Sequence, residues 1–272
     1  MRHAWTEQFL KQTKIDGGRE FDWGKTSVDY SAYRTEYTKS LFDILNALGI
    51  GLPGQRILDL GTGTGTLARG LAERGAQVTG VDISTDQIAE ARKLAQQQKL
   101  DVQFSAVAAE DIEFEDSSFD AVTVAQAWIY FDAARVIPKI LRVLAREGRL
   151  VLTLVSWLPY RDEIARAMEE LVLKYNPQWT GGGYSGDPPK YNSLKEDFDL
   201  KTLHVMDEPI PFTRESWRGR IRACRGVGAA LLPDAIADFD AEHKKLLEKI
   251  APENFTVLHQ IAVHVFARRT AS

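Results

Sequence analysis

From residue 55 the hydrophobic pattern changes period repeatedly, and each change marks an element. Arg56-Ile57-Leu58-Asp59-Leu60 reads as a short strand stopped by glycines, after which Leu67, Ala68, Leu71 and Ala72 recur at helical spacing. Gln77 to Val81 predicts a second strand, followed by a helix with Ile88, Ala91, Leu94 and Ala95 on one face. Asp101 to Phe104, Phe119 to Ala125 and Arg149 to Val155 predict three more strands. The helix between the last two turns Val136, Ile137, Ile140, Leu141 and Leu144 inward. Strands this uniformly apolar belong to a sheet covered on both faces, and strand–helix alternation requires parallel crossovers. Residues 55–156 are therefore expected to form a doubly wound α/β sheet.

The flanks read differently. Residues 1–54 are polar and aromatic, with a helix expected from about Tyr37 to Leu48 closed by Gly49, and are read as an N-terminal helical lid. Residues 157–254 are read as a helical cap inserted after the fifth strand. They hold an amphipathic helix (Ile164, Met168, Leu171, Tyr175), a glycine-rich loop from Trp179 to Tyr184 and a sixth strand near Lys201 to Met206. Two further helical stretches follow, the second with Ile236, Phe239, His243, Leu246, Leu247 and Ile250 in phase. Residues 255–272 contain a β-branched run, Phe255 to Ala267, expected to join the sheet edge and bring it to seven strands, mostly parallel.

Composition narrows the partners. The net charge is −4 and the basic residues are scattered, which argues against a phosphate-neutralising groove and hence against nucleic acid. The arginine-rich stretch Arg214 to Arg225 is read as a solvated helix face rather than an anion site. No apolar run approaches about 18 residues, so no membrane span is expected, and the opening MRHAWTEQF lacks the apolar core of a signal peptide. The lone Cys224 cannot form an internal disulfide, which points to a reducing cytoplasm. Histidines 3, 204, 243, 259 and 264 lack metal-ligand spacing, and no metal is expected.

The most informative segment is Ile57-Leu58-Asp59-Leu60-Gly61-Thr62-Gly63-Thr64-Gly65, a strand running into a turn with glycines on alternate residues before a helix. Glycines let a backbone take positive φ and approach a ligand with no Cβ in the way. In open α/β sheets ligands bind beyond the carboxyl ends of the strands, where this loop must lie. Val78-Thr79-Gly80-Val81-Asp82 places an acid at the end of the next strand, where a carboxylate can accept from both ribose hydroxyls. The competing role for Asp82 is capping the following helix, but Ser84 can do that itself. A dinucleotide fingerprint would place its third glycine at residue 66, which is Thr66. The carboxylate of Asp59 would repel a pyrophosphate, whereas the ammonium of an amino-acid ligand can use it directly or through water. These features favour S-adenosylmethionine (SAM) over NAD.

The runs LDLGTGTG, VTGVDIS, AAEDIEF and FDAVTVAQAWIYFD, in this order, resemble the successive motifs of class I SAM-dependent methyltransferases. Gln126-Ala127-Trp128 and Phe131-Asp132 resemble the segment of the type 11 small-molecule group, and FDWGKTSVDYSAYRTEY resembles the N-terminal lid of bacterial members. The resemblance implies that Gly61, Thr62, Gly63 and Gly65 pass beneath the methionine moiety of SAM, with Asp59 near its ammonium. It implies that Asp82 holds the ribose, that Ile83 lies against the adenine, and that Gln87 stands where many relatives carry a methionine over that ring. Ala109, Glu110 and Asp111 fall at the adenine-edge motif, and Ala125 and Gln126 end the fourth strand beside the sulfonium. Tyr30, Tyr33 and Arg34 match the lid over the carboxylate end of SAM.

The implied activity is methyl transfer to a small-molecule acceptor, with S-adenosylhomocysteine as the product. Trp128, Tyr130, Trp157, Tyr160 and Tyr184 are candidate walls of the acceptor site, and His204 is a candidate base. No catalytic residue is assigned, because a base is needed only where the nucleophile arrives protonated. The absence of an Asn-Pro-Pro-Tyr sequence also argues against nucleic-acid substrates. A SAM-binding protein without catalysis, an enzyme that modifies SAM itself and an NAD-dependent oxidoreductase stand as alternatives at this point.

Overall fold

The structure, a computed structural model, describes residues 15–18, Tyr33 and 37–269. Seven strands form one sheet: β1 (Arg56–Leu60), β2 (Gln77–Asp82), β3 (Val102–Ala106), β4 (Phe119–Ala125), β5 (Leu144–Trp157), β6 (Phe198–Thr213) and β7 (Asn254–Arg268). Their order is β3-β2-β1-β4-β5-β7-β6. The pairs β1–β2, β1–β4, β2–β3 and β4–β5 are parallel, as their crossover helices require. Those helices are α2 (Thr66–Glu73), α3 (Thr85–Gln97) and α4 (Ala133–Val143), and α1 (Lys39–Ala47) precedes the first strand. Helices α5 (Glu163–Tyr175), α6 (Arg214–Arg222) and α7 (Pro233–Ile250) are the further α-helices among the described residues.

Three expectations change. Leu144 opens β5 instead of closing α4, so that strand begins well before Arg149. Strand β6 extends far beyond Lys201 to Met206 in both directions. The C-terminal strand is not an edge strand: it lies between β5 and β6, and β6 takes the edge. Burial explains the exchange, since every residue from His259 to Ala267 is buried, whereas β6 alternates exposed and half-buried positions from Lys201 to Pro209. A strand apolar on both faces belongs inside a sheet.

The chain divides into two compact units, and the division falls within β5, β6 and β7. One comprises residues 36–154, 191–205 and 261–272, and the other 1–35, 155–190 and 206–260. Residues 36–54 and 191–205 thus group with the sheet core, which differs from the boundaries read from sequence. The core of the first unit is apolar, with Leu58, Val122, Val136, Ile140, Val143, Leu150 and Leu152 fully buried. Each large side chain so buried contributes about 1.5–3 kcal/mol. The second unit packs α5, α6 and α7 around Trp157, Met168, Trp179, Trp217 and Phe239.

The arginines of α6 are not a solvated face. Arg218 and Arg222 share the carboxylate of Asp240 on α7, and Arg225, buried, pairs with Asp16 at 3.0 Å. Burial of both Arg225, just past α6, and Asp16 makes their salt bridge costly to break, and the half-buried Arg218 and Arg222 tie α6 to α7.

Candidate functional site

The site begins at the reversal of the sheet. From β1 the chain order runs outward through β2 and β3 on one side and through β4 and β5 on the other. Ligands in open α/β sheets bind at this switch point, past the strand C-termini. Two segments arrive there within the first unit, the glycine loop after β1 and Gln126 after β4.

The loop holds a left-handed backbone at Gly61, Gly63 and Gly65, with φ of 66°, 58° and 76°. Gly65 is also the N-cap of α2, and a Cβ there would stand 2.7 Å from the Phe104 ring. Glycine is therefore required at that position twice over, by conformation and by space. The loop is tied to β2 by Thr62 N donating to the Val81 carbonyl at 2.9 Å.

Asp59 lies beneath the loop, buried, in register with Thr123 on β4. Its Oδ2 accepts from the Thr62 hydroxyl at 2.6 Å and its Oδ1 from the Thr123 hydroxyl at 2.7 Å. Burial pushes its carboxyl up to about 6 despite those two bonds, and nearby Asp82 adds to the rise. Asp59 thus first orients Thr62, and its remaining acceptor capacity is what an ammonium could use. The sequence signal for the partnership was present, because Thr123 interrupts the apolar run of β4, but spacing alone could not pair it with Asp59.

Asp82 ends β2 and is shared between the loop and its own turn. Its Oδ2 accepts from Gly63 N and its Oδ1 from Ser84 N, both at 2.9 Å. Ser84 caps α3 through Gln87 N, so the helix does not need Asp82. Burial raises the Asp82 carboxyl while the two N–H donors oppose it. Each oxygen accepts one backbone donor and keeps a second lone pair, the valence that two ribose hydroxyls would need. Beside it Ile83 is 74% exposed, an apolar surface that an adenine ring could cover. Gln87 is buried within α3, and Ala109 is buried in the short turn Ala109–Asp111.

The adenine-edge acids have structural partners. Glu110 Oε1 accepts from Asp132 N at 2.8 Å, and Asp111 pairs with Arg135 at 2.7 Å. Both bonds fix the turn against the start of α4. Ala125 closes β4, half-buried, and Gln126 follows with φ 59°, its N–H donating to the Thr153 carbonyl at 2.9 Å. A left-handed conformation in a non-glycine residue stores strain, typically at functional positions. No sequence pattern announced it.

Outside this cluster the picture is mixed. Tyr30 and Arg34 lie outside the described residues. Tyr33 packs on α6, its ring against Gly219, its hydroxyl donating to Glu215 at 3.1 Å, and the Arg222 guanidinium over the ring at 5.4 Å. Among the aromatic candidates, Tyr130 and Tyr160 are exposed whereas Trp128 is buried in the sheet core. Trp157 and Tyr184 are buried in the second unit, donating to Glu169 and Gln260 at 2.6 Å each. His204 is half-buried on β6.

The chain is similar to known proteins. Residues 57–148 match the family described as the methyltransferase domain. An uncharacterized methyltransferase of Mycobacterium bovis is 39% identical over 188 residues, 68% of this chain and 69% of its own. The demethylmenaquinone methyltransferase of Thermus thermophilus is 45% identical over 100 residues, 36% of this chain and 46% of its own. A solved phospholethanolamine N-methyltransferase 2 of Haemonchus contortus, in complex with phosphomonomethylethanolamine and S-adenosylhomocysteine, shares the fold at a TM-score of 0.52. It is 22% identical, with 98% of this chain and 60% of that one covered. No helix among the described residues is long and apolar enough to cross a membrane. With the strand order, the glycine loop and the sequence relationship agreeing, this chain belongs to the class I SAM-dependent methyltransferases.

Proposed function

We propose that this methyltransferase moves the methyl group of SAM to a small-molecule acceptor. The observation that carries the reading is the bond from Gly63 N to Asp82 Oδ2 at 2.9 Å, at the switch point of the sheet. One carboxylate there orders the glycine loop and faces a ribose at the same time. SAM supplies a methyl group already activated on sulfonium, so the protein's work is binding, alignment and exclusion of water. Holding two reactants in line is worth up to about 7–11 kcal/mol of barrier.

In this reading Gly61, Thr62, Gly63 and Gly65 pass under the methionine moiety, and Asp59 positions Thr62 and faces the ammonium. Asp82 binds the ribose, Ile83 and Gln87 flank the adenine, and Ala109, Glu110 and Asp111 meet its edge. With both acid side chains of that turn engaged, the contact falls to the turn's backbone. Ala125 and Gln126 stand nearest the sulfonium. Tyr30, Tyr33 and Arg34 keep the lid role on the strength of the resemblance. A small acceptor is supported by the demethylmenaquinone methyltransferase relative and by the net charge of −4. The NAD alternative has no support once the family is fixed.

Incubating the protein with methyl-labelled SAM and a metabolite extract tests the proposal. Label passing into the small-molecule fraction is the expected result. Label in protein or nucleic acid would contradict the acceptor class, and bound SAM with no transfer would favour a non-catalytic role.

A further inference from the structure

The longest strand of the sheet, β6 with 16 residues, is the one left at its edge. Edge strands are ordinarily short, charged or covered, because their open N–H and C=O row pairs readily with another chain. On β6, Leu200, Leu203 and Val205 are 50%, 43% and 41% exposed. Pro209 and Pro211 have no N–H to give, which confines pairing to the stretch from Phe198 to Glu208.

We propose that β6 pairs antiparallel with β6 of a second copy of this chain, about a two-fold axis through His204. Charge and apolar pairing together favour that register. An axis through Leu203 would set Asp199 opposite Asp207 of the second copy, and like charges directly opposed are destabilising. An axis through Thr202 would set Asp199 opposite Val205 and Lys201 opposite Leu203. The axis through His204 sets Leu203 against Val205 and Lys201 against Asp207, twice each by symmetry. Lys201, Leu203, Val205 and Asp207 share one face of the strand, so the two apolar pairs form a seam between two ion pairs. Asp207 is held in place by Arg161 and by Gln260 Nε2 at 3.1 Å.

Sedimentation velocity of the full chain at micromolar concentration is the direct test. The expected species has twice the chain mass of 30.5 kDa. The double variant Leu203→Lys/Val205→Lys should return to the single mass with an unchanged far-UV circular dichroism spectrum. With Cys224→Ser as background, His204→Cys should close a disulfide across the axis under mild oxidation, since directly opposed residues come close enough. Leu200→Cys, opposite Glu208, should not. A single-chain mass for the unaltered protein overturns the proposal, including the case in which another part of the chain covers the strand. A dimer that survives the lysine variant, or one in which His204→Cys fails to link, overturns it as well.

Discussion

Asp82 distributes one carboxylate over two backbone donors, Gly63 N and Ser84 N, and neither bond belongs to a helix. In the proposed reading, removing that carboxylate deletes charge-assisted bonds to the ribose and loosens the loop. Asp82→Ala should therefore weaken SAM binding by about 1.5–3 kcal/mol, read by titration calorimetry; unchanged affinity would refute the ribose assignment. A buried histidine contributes to the response to acid. His243 is fully buried, with no hydrogen-bond partner at either ring nitrogen among the described residues, and Asp240, Arg218 and Arg222 act on it across the helix packing. Burial pulls it down from 6.5 to about 4. The unfolded chain then binds the proton first, so stability is lost as pH falls from 6.5 through 4. His243→Leu should remove up to about 3 kcal/mol of that loss at pH 4. Thermal midpoints of the two proteins at pH 7 and pH 4.5 check this, and equal acid shifts would contradict it. The sequence could place His243 on the inner face of its helix, because periodicity reports burial. It could not show the empty hydrogen-bonding of the ring, which depends on three helices meeting.

At the scale of elements, the division of labour around β2 can be separated experimentally. Ser84 caps α3 and Asp82 does not, so Ser84→Ala should cost about 1 kcal/mol of stability in chemical denaturation while SAM affinity stays near that of the unaltered protein. A large loss of affinity with no loss of stability would reverse the two roles. The core strands and their helices were legible because apolar runs and the 3.6-residue period are local properties. What failed was non-local. Strand β6 reads Asp-Leu-Lys-Thr-Leu-His-Val-Met-Asp-Glu, charged and interrupted later by prolines, and only pairing with β7 identifies its full length as a strand. The interior place of β7 was implicit in its largely apolar, β-branched run, but position in the chain suggested an edge. Leu144 fits an inward helix position and a strand start equally well, and the end of α4 one residue earlier decides it. The glycine loop was readable from spacing, whereas the strained Gln126 and the Asp59–Thr123 pair arise from strands 64 residues apart in sequence.

On the scale of the whole molecule, function depends on one cofactor finding one end of the sheet. A ligand that binds only the folded chain stabilises it by mass action, about 2.7 kcal/mol at a hundredfold excess over Kd, so SAM should raise the melting temperature in a concentration-dependent way. Affinity itself is the more direct reading. Calorimetric titration of the purified chain with SAM, S-adenosylhomocysteine and NAD in parallel should give micromolar binding of the first two and none of the third. No binding of either sulfur compound by a folded sample would mean that the loop from Gly61 to Gly65 is only a turn, and the proposed function would fall with it.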